Sequence, residues 1–408
     1  MTDQSIRKLP GWRATLAAAL TAALALVACG GGGGSAGDSA SNTPIGAVPA
    51  GTTSYTLGAI SGFGSVVVGG VRFDDSSATV EDEDGAAHAS SELKLGMVVQ
   101  MDAKNMDHAL GTAVAQRIRF GSEIIGPVGA IDTTASTVVV LGQTVLVTTS
   151  TVFDSALAGG LSTLTAGAVI EVHGILDDAT GKVTATRIEP KTGATFYRLR
   201  GTVSSYDPTA KTFKIGSELI SFASVANVPA TLANGRIVRV QLQTTQVAGA
   251  WVATRIGLGV RGPSDGISDA HVEGAITVFT STSSFEVNGL KVDASSAAFP
   301  DGTTGIVLGA EVEVTGTVTN GVLVATKVEV EEHRDHGQRP LELHGNIASI
   351  DTTALTFALR GVTVWYGGTV TYKNGTAADL AVNKRVDVFG KLSTDRTRLE
   401  ASRIEFKN

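Results

Sequence analysis

The sequence predicts an all-β chain built as a tandem array of five small barrels. Three observations carry that expectation: two short phrases recur in step, the composition favours strands, and every interval holds five short runs with strand periodicity. The first phrase is Ala115-Gln116-Arg117-Ile118, which returns as Ala185-Thr186-Arg187-Ile188, Ala253-Thr254-Arg255-Ile256, Ala325-Thr326-Lys327-Val328 and Ala401-Ser402-Arg403-Ile404. Upstream of these stand Gly58-Ala59-Ile60, Gly129-Ala130-Ile131, Gly201-Thr202-Val203, Gly274-Ala275-Ile276 and Gly345-Asn346-Ile347. A period of roughly seventy residues exceeds that of solenoids and propeller blades and lets each unit close a small core of its own. The expected units run over 54–122, 123–192, 193–260, 261–332 and 333–408.

Composition points the same way. Hydrophobic residues make up 43% of the chain but aromatics only 5%, so the cores must be built from Val, Ile, Leu and Ala. Abundant Val and Thr with 49 glycines favour strands and turns over helices. The net charge is −7 and no block of basic residues appears, so nothing attracts nucleic acid or anionic lipid in general.

The chain opens with Arg7, Lys8 and Arg13, followed by an Ala/Leu/Thr run from Ala14 to Ala25 and small residues up to the single cysteine, Cys29. The run is too short to span a bilayer and has the layout of a secretory signal over residues 1–28. Leu26-Val27-Ala28-Cys29 resembles a bacterial lipoprotein box. That resemblance implies cleavage before Cys29, acylation there, and a mature chain tethered to a membrane. Gly30, standing where Asp would signal retention, implies the outer membrane. The alternative, an ordinary signal with an incidental cysteine, leaves a lone thiol in an exported protein. Residues 29–53, with Gly30 to Gly34 and then Ser, Ala, Asp, Asn, Thr and Pro, form a tether that cannot build a core. The glycine run is no phosphate loop, because no strand precedes it and no Gly-Lys-Ser/Thr follows.

The fifth unit shows the plan of each repeat. Leu341 to Ile347 alternates as strand one, Leu355 to Leu359 is strand two, Arg360-Gly361 a turn, and Val362 to Tyr366 strand three. Thr376 to Leu380 suits a helical turn capped by Thr376; Val386 to Phe389 and Leu399 to Phe406 are strands four and five. Five strands with a helical piece between the third and fourth is the order of an OB-like barrel. In the other units the second and third strands flank Gly69-Gly70, Gly142-Gln143, Gly216-Ser217 and Asn288-Gly289, the last a strong hairpin signal. Leu157 to Leu164 fills the helical slot of the second unit. In the closing strand of the fourth unit, strict alternation places Val324, Thr326, Val328 and Val330 in the core and Lys327 outside.

The glycine-anchored opening strand, the hairpin from Gly64 to Asp74, the Gly-x-x-Val-x-Val of strand four and the closing Ala-x-Arg-Ile together resemble the domain of unknown function 5666 family. The resemblance covers about Leu57 to Phe406 and implies tandem domains in exported or lipid-anchored Gram-negative proteins. It carries over no catalytic residue and implies no cofactor.

Candidate chemistry is sparse. The repeated cations Arg117, Arg187, Arg255, Lys327 and Arg403 could form an array contacting an anionic envelope polysaccharide once per unit. Against that, Glu171, Glu313 and Asp387 occupy one equivalent position of strand four and suit lateral pairs with Arg187, Lys327 and Arg403. Gln100 and Arg239 stand there in the first and third units, which singles out Arg117 and Arg255 as the ligand-binding candidates. His333, Asp335 and His336 gather metal-capable groups between the fourth and fifth units, although Arg334 and Arg339 among them favour a solvated linker. The acidic run Glu81-Asp82-Glu83-Asp84 lacks the spacing of a calcium loop and reads as an exposed, solubilising loop. Single-stranded nucleic acid, a common ligand of OB-like barrels, needs a basic groove with aromatic platforms, which an acidic chain poor in aromatics does not offer. The expected function is a non-enzymatic, lipid-anchored binding or spacer module of the cell envelope, with a glycan or protein partner. A metal or small-ligand carrier using the histidine linker is the alternative, and an envelope hydrolase a more remote one.

Overall fold

The computed structural model describes residues 51–407 apart from 64, 108, 178–179, 260–261, 264–266, 288–289, 331–340 and 395–396. The expected signal, Cys29, most of the tether, the Asn288-Gly289 turn and the candidates His333, Asp335 and His336 lie outside the described residues.

Five small barrels follow one another, and among the described residues there is no α-helix. The second barrel shows the shared topology. Its opening strand Ile124–Asp132 runs antiparallel to Thr137–Val140, which pairs with Gln143–Phe153. That third strand lies parallel to the closing strand Lys182–Pro190, which pairs with the fourth, Val169–Asp177, and the fourth returns to the opening strand. This 1-2-3-5-4-1 closure is the OB-like order, and it recurs in the barrels opened by Ser54–Phe63, Tyr197–Asp207, Asp269–Ser281 and Leu341–Asn346. The helical slot holds only 3₁₀ turns, at Ser90–Glu92 in the first barrel, Ser155–Leu157 and Gly160–Thr163 in the second and Ala377–Asp379 in the fifth. In the fifth, the Asp379 carboxylate accepts from the Thr376 backbone N–H and hydroxyl, which ties the single turn together.

The closing strand corrects the expected alternation. In every barrel the register slips by one residue inside the recurring phrase. His173 faces Arg187 while Gly174 faces Ala185, and the same offset appears at Asp102/Ala103, Gln241/Leu242, Thr315/Gly316 and Phe389/Gly390. The residue between the alanine and the cation is the extra one of a β-bulge. The core therefore takes Leu323, Ala325 and Val328, at 0%, 2% and 1% exposure, while Val324 is 36% exposed. A strict period of two cannot bury both Ala325 and Val328; one inserted residue does.

The barrels do not own separate cores. Ile60, Phe73 and Ile118 of the first share a continuous apolar cluster with Leu343, Phe357 and Ile404 of the fifth. The second and third barrels share another, through residues such as Ile124, Val172, Leu199 and Val240. Tyr55 and Leu57 of the first barrel pack into the core of the fourth. Strand pairing makes these junctions. Ser54 to Leu57 lie parallel to Asp269 to Val272, Gly62 and Phe63 lie parallel to Glu342 and Leu343, and Ile124 and Ile125 pair with Leu199 and Arg198. The first barrel is thus joined by backbone to both the fourth and the fifth, and the five form a cluster instead of a row of independent units.

At Gly62 the fifth barrel's backbone comes so close that an added Cβ would sit inside the contact radius of the Glu342 carbonyl oxygen. Gly62→Val is expected to lower stability by about 1–3 kcal/mol, the usual cost of forcing atoms into a packed junction. The urea midpoint reads it; an unchanged midpoint would mean that this strand pair does not form.

Candidate functional site

The repeated cations point away from the cores of their own barrels, as expected, but two of them are buried. Arg117 and Arg187 are 5% exposed. Nor do the cations stand directly opposite the expected carboxylates of the fourth strand. The bulge sets Arg187 opposite His173, Lys327 opposite Thr315 and Arg403 opposite Phe389, and it brings Glu171, Glu313 and Asp387 opposite Glu189, Glu329 and Glu405. Each of these three cations bonds instead to the glutamate two residues further along its own strand: Arg187 to Glu189 at 2.9 Å, Lys327 to Glu329 at 2.8 Å and Arg403 to Glu405 at 3.2 Å. Arg403 also lies over the Phe389 ring. The Glu189 carboxyl is held at about 2, because Arg187 and Lys94 outweigh the burial that alone would raise it.

The first and third barrels lack that glutamate, having Arg119 and Gly257 in its place. Arg117 and Arg255 nevertheless meet carboxylates, which corrects the expectation that they face none. Arg117 Nε donates to Asp102 at 2.8 Å across the bulge, and Arg255 reaches Asp84 at 3.1 Å. Asp84 belongs to the acidic run, which is an interbarrel contact and not a solubilising loop. Asp82 Oδ1 accepts the backbone N–H groups of Asp84 and Ala86, each at 2.9 Å, and so folds the run into a tight turn. The turn projects Glu83 and Asp84 onto the third barrel. Glu83 binds Arg200 at 2.5 Å and Arg239 at 3.2 Å, while Asp84 binds Arg239 at 2.6 Å and Arg198 at 3.0 Å. Glu123, 2% exposed, adds a third carboxylate at 3.0 Å from Arg200. Arg239, which looked like a missing partner for Arg255, is a second cation for the same acidic turn. The available sequence signal was the coincidence of one acidic run in the first unit with the positive balance of the third, where five arginines and two lysines stand with only Asp207 and Glu218.

Where the first, second, fourth and fifth barrels meet, their outer faces enclose a cavity of about 330 Å³. Val67 and Leu95 of the first barrel, Val152 and Ile175 of the second, and Leu341 and Leu392 of the fifth give it mainly apolar walls. Glu273 and Glu311 of the fourth barrel and Glu342 of the fifth add carboxylates. Burial alone would raise the Glu342 carboxyl, but hydrogen bonds from His344 and Arg72 hold it below its ordinary value, so it stays ionised. Ile60 points into the core of its own barrel, which turns the flanking Ala59 and Ser61 towards the cavity. Pieces of the recurring phrases, such as Ala59, Ala185 and Gly274, line the cavity, but four different units supply its walls, so no single stretch of sequence marks it.

A family model described as "Domain of unknown function (DUF5666)" matches residues 56–119, 125–189, 273–329 and 344–405. The third barrel, which carries the arginine cluster, is not among the matched segments. No curated protein sequence matches the chain. Among solved structures, one titled "drosophila Unr CSD456" is similar over 53% of this chain and 98% of its own, with 14% identity and a TM-score of 0.14.

The acidic turn yields a clear expectation for stability. Breaking a buried ion pair costs up to about 3–5 kcal/mol. Glu83→Gln, which takes one of two carboxylates from both Arg200 and Arg239, should therefore lower the unfolding midpoint more than Arg255→Ala, whose side chain is 40% exposed and whose pair is worth about 1 kcal/mol or less. Equal midpoints for the two variants would show that the turn does not dock.

Proposed function

For a chain that belongs to the family of the domain of unknown function DUF5666, we propose a non-enzymatic binding role in the cell envelope, with the ligand held in the cavity between barrels. The cavity carries this reading. Its volume falls within the range typical of small-molecule sites, and its walls are mostly apolar with a few carboxylates, the combination that binds by burial and orients by polar contacts. The lining suits a ligand with an apolar body and a cationic or hydrogen-bond-donating group. Tandem repetition then has a purpose, since the pocket needs four barrels and none of them can form it alone.

The polysaccharide array has weaker support. Its best candidates, Arg117 and Arg255, are engaged by Asp102 and Asp84, so an anionic polymer would have to displace an existing carboxylate at each. An envelope protein could still dock on the outer faces of the cluster. Attachment through lipid on Cys29 completes the proposal, supported by the basic start, the short apolar run and Leu26-Val27-Ala28-Cys29. Lipid anchoring at the outer membrane would place the cavity among envelope constituents, and several acyl chains at about 0.8 kcal/mol per buried methylene would make the anchor long-lived.

Two measurements test the two halves separately. Cys29→Ser is expected to leave unprocessed precursor and to move the protein out of the detergent phase; normal processing and partitioning would defeat the anchor. For the cavity, a neutral apolar dye such as Nile red should bind the wild type, and Ser61→Trp, which fills the space, should weaken binding at least tenfold with an unchanged circular dichroism spectrum. Equal dye binding by both proteins would place the dye elsewhere and remove the cavity as the site.

A further inference from the structure

The second barrel departs from the others at one point on its outer face. Opposite the recurring cation stand Asp102, His173, Gln241, Thr315 and Phe389 in the five barrels in turn. Two residues before these on the fourth strand, and two after the cation on the closing strand, lie the facing pairs Gln100–Arg119, Glu171–Glu189, Arg239–Gly257, Glu313–Glu329 and Asp387–Glu405. The second barrel alone combines a histidine at the first position with carboxylates at both others. The scaffold is indifferent to what fills the histidine position, since it accepts an acid, an amide, a hydroxyl and a ring elsewhere.

His173 is wholly buried, and Glu171 and Glu189 are 7% and 6% exposed. The imidazole Nδ1 lies 3.2 Å from the Gly121 carbonyl oxygen, which can only accept, so Nδ1 carries a proton. In the neutral ring Nε2 then presents a lone pair. That nitrogen is buried, makes no hydrogen bond, and lies 3.8 Å from Glu171 Oε1. An acceptor facing carboxylate oxygens without a cation between them is a costly arrangement in a buried place. The far oxygens are already held. Lys191 Nζ lies 2.6 Å from Glu171 Oε2, and Glu189 Oε2 takes Lys94 at 2.7 Å and Arg187 at 2.9 Å. These contacts orient the carboxylates, much as outer-shell partners orient the ligands of a metal centre.

We propose that His173 Nε2 and one oxygen each from Glu171 and Glu189 form a site for a divalent transition-metal ion of the zinc class. One donor atom from each residue lies within 4.8 Å of the others. Three ligands at about 2.0–2.2 Å from one zinc stand about 3.3–3.8 Å apart, so the widest pair must close by about an ångström, a shift that turning the glutamate side chains can supply. The mixed nitrogen and oxygen set suits zinc better than calcium or magnesium, which take oxygen ligands. Three protein ligands leave a fourth position for water or an external group. The added charge is tolerated because Lys94 and Lys191, both 43% exposed, can turn towards solvent.

Zinc titration of the full chain after chelator treatment, in competition with a chromophoric chelator, tests the site. The wild type should bind one zinc tightly and gain thermal stability on binding. His173→Gln should weaken that binding at least 100-fold, and Glu189→Gln, which keeps shape and volume should the histidine variant fail to fold, at least tenfold. Because His333 and His336 could also take zinc, a His333→Ala/His336→Ala chain is the control and should retain the tight ion. A wild type that binds no zinc, tight binding that survives both His173→Gln and Glu189→Gln, or tight binding lost only with His333 and His336 would overturn the proposal.

Discussion

A closed barrel has few free edges, and the way this chain uses the ones it has determines its arrangement. In each unit the opening strand pairs with the fourth strand along its first half and with the second strand along its last half. Each half therefore keeps one unpaired edge, which must be covered or paired. The first barrel gives one of these edges to Asp269 to Val272 of the fourth barrel and the other to Glu342 and Leu343 of the fifth. The second barrel gives Ile124 and Ile125 to the third. Backbone hydrogen bonds of this kind explain why neighbouring cores merge, and why the first barrel is central although it comes first in the chain.

Strand pairing of this kind is weakly selective, since any edge can meet any other. The charged contacts supply the selectivity. Glu83 and Asp84 fit only the barrel that carries Arg198, Arg200, Arg239 and Arg255. Arg72 of the first barrel meets Glu342 of the fifth, and Lys94 of the first meets Glu189 of the second. Buried pairs add little net stability compared with apolar packing, but a wrong partner leaves a charge unpaired, and that is expensive. Five near-identical units can thus assemble in one arrangement.

The same division of labour accounts for the candidate sites. The repeated residues Ala, Gly and Ile build the barrels and bulges, which are alike in all five units. The outer faces vary, and their variation makes the cavity between four barrels and the buried histidine between two glutamates. Neither site depends on the recurring arginine as a ligand. That arginine acts mainly inside the molecule, tying each closing strand to a carboxylate.

The sequence by itself determined the all-β class, the repeat, the strand order and a helical turn beginning at Thr376, because these follow from local periodicity and turn chemistry. It also located the hairpins, since Gly69-Gly70 and Gly216-Ser217 permit the required backbone within a few residues. Only the tertiary structure decided which side chain faces which. A single bulged residue at Thr186, Thr326 or Ser402 changes the phase of the closing strand, so alternation counted through it assigned Val324 inward and mismatched every carboxylate. The roles of Asp84 and His173 were illegible for a different reason. Asp84 meets Arg239 and His173 meets Glu189 across chain separations and strand registers that no local pattern records, and burial by a neighbouring barrel leaves no mark on the periodicity of the strand it covers.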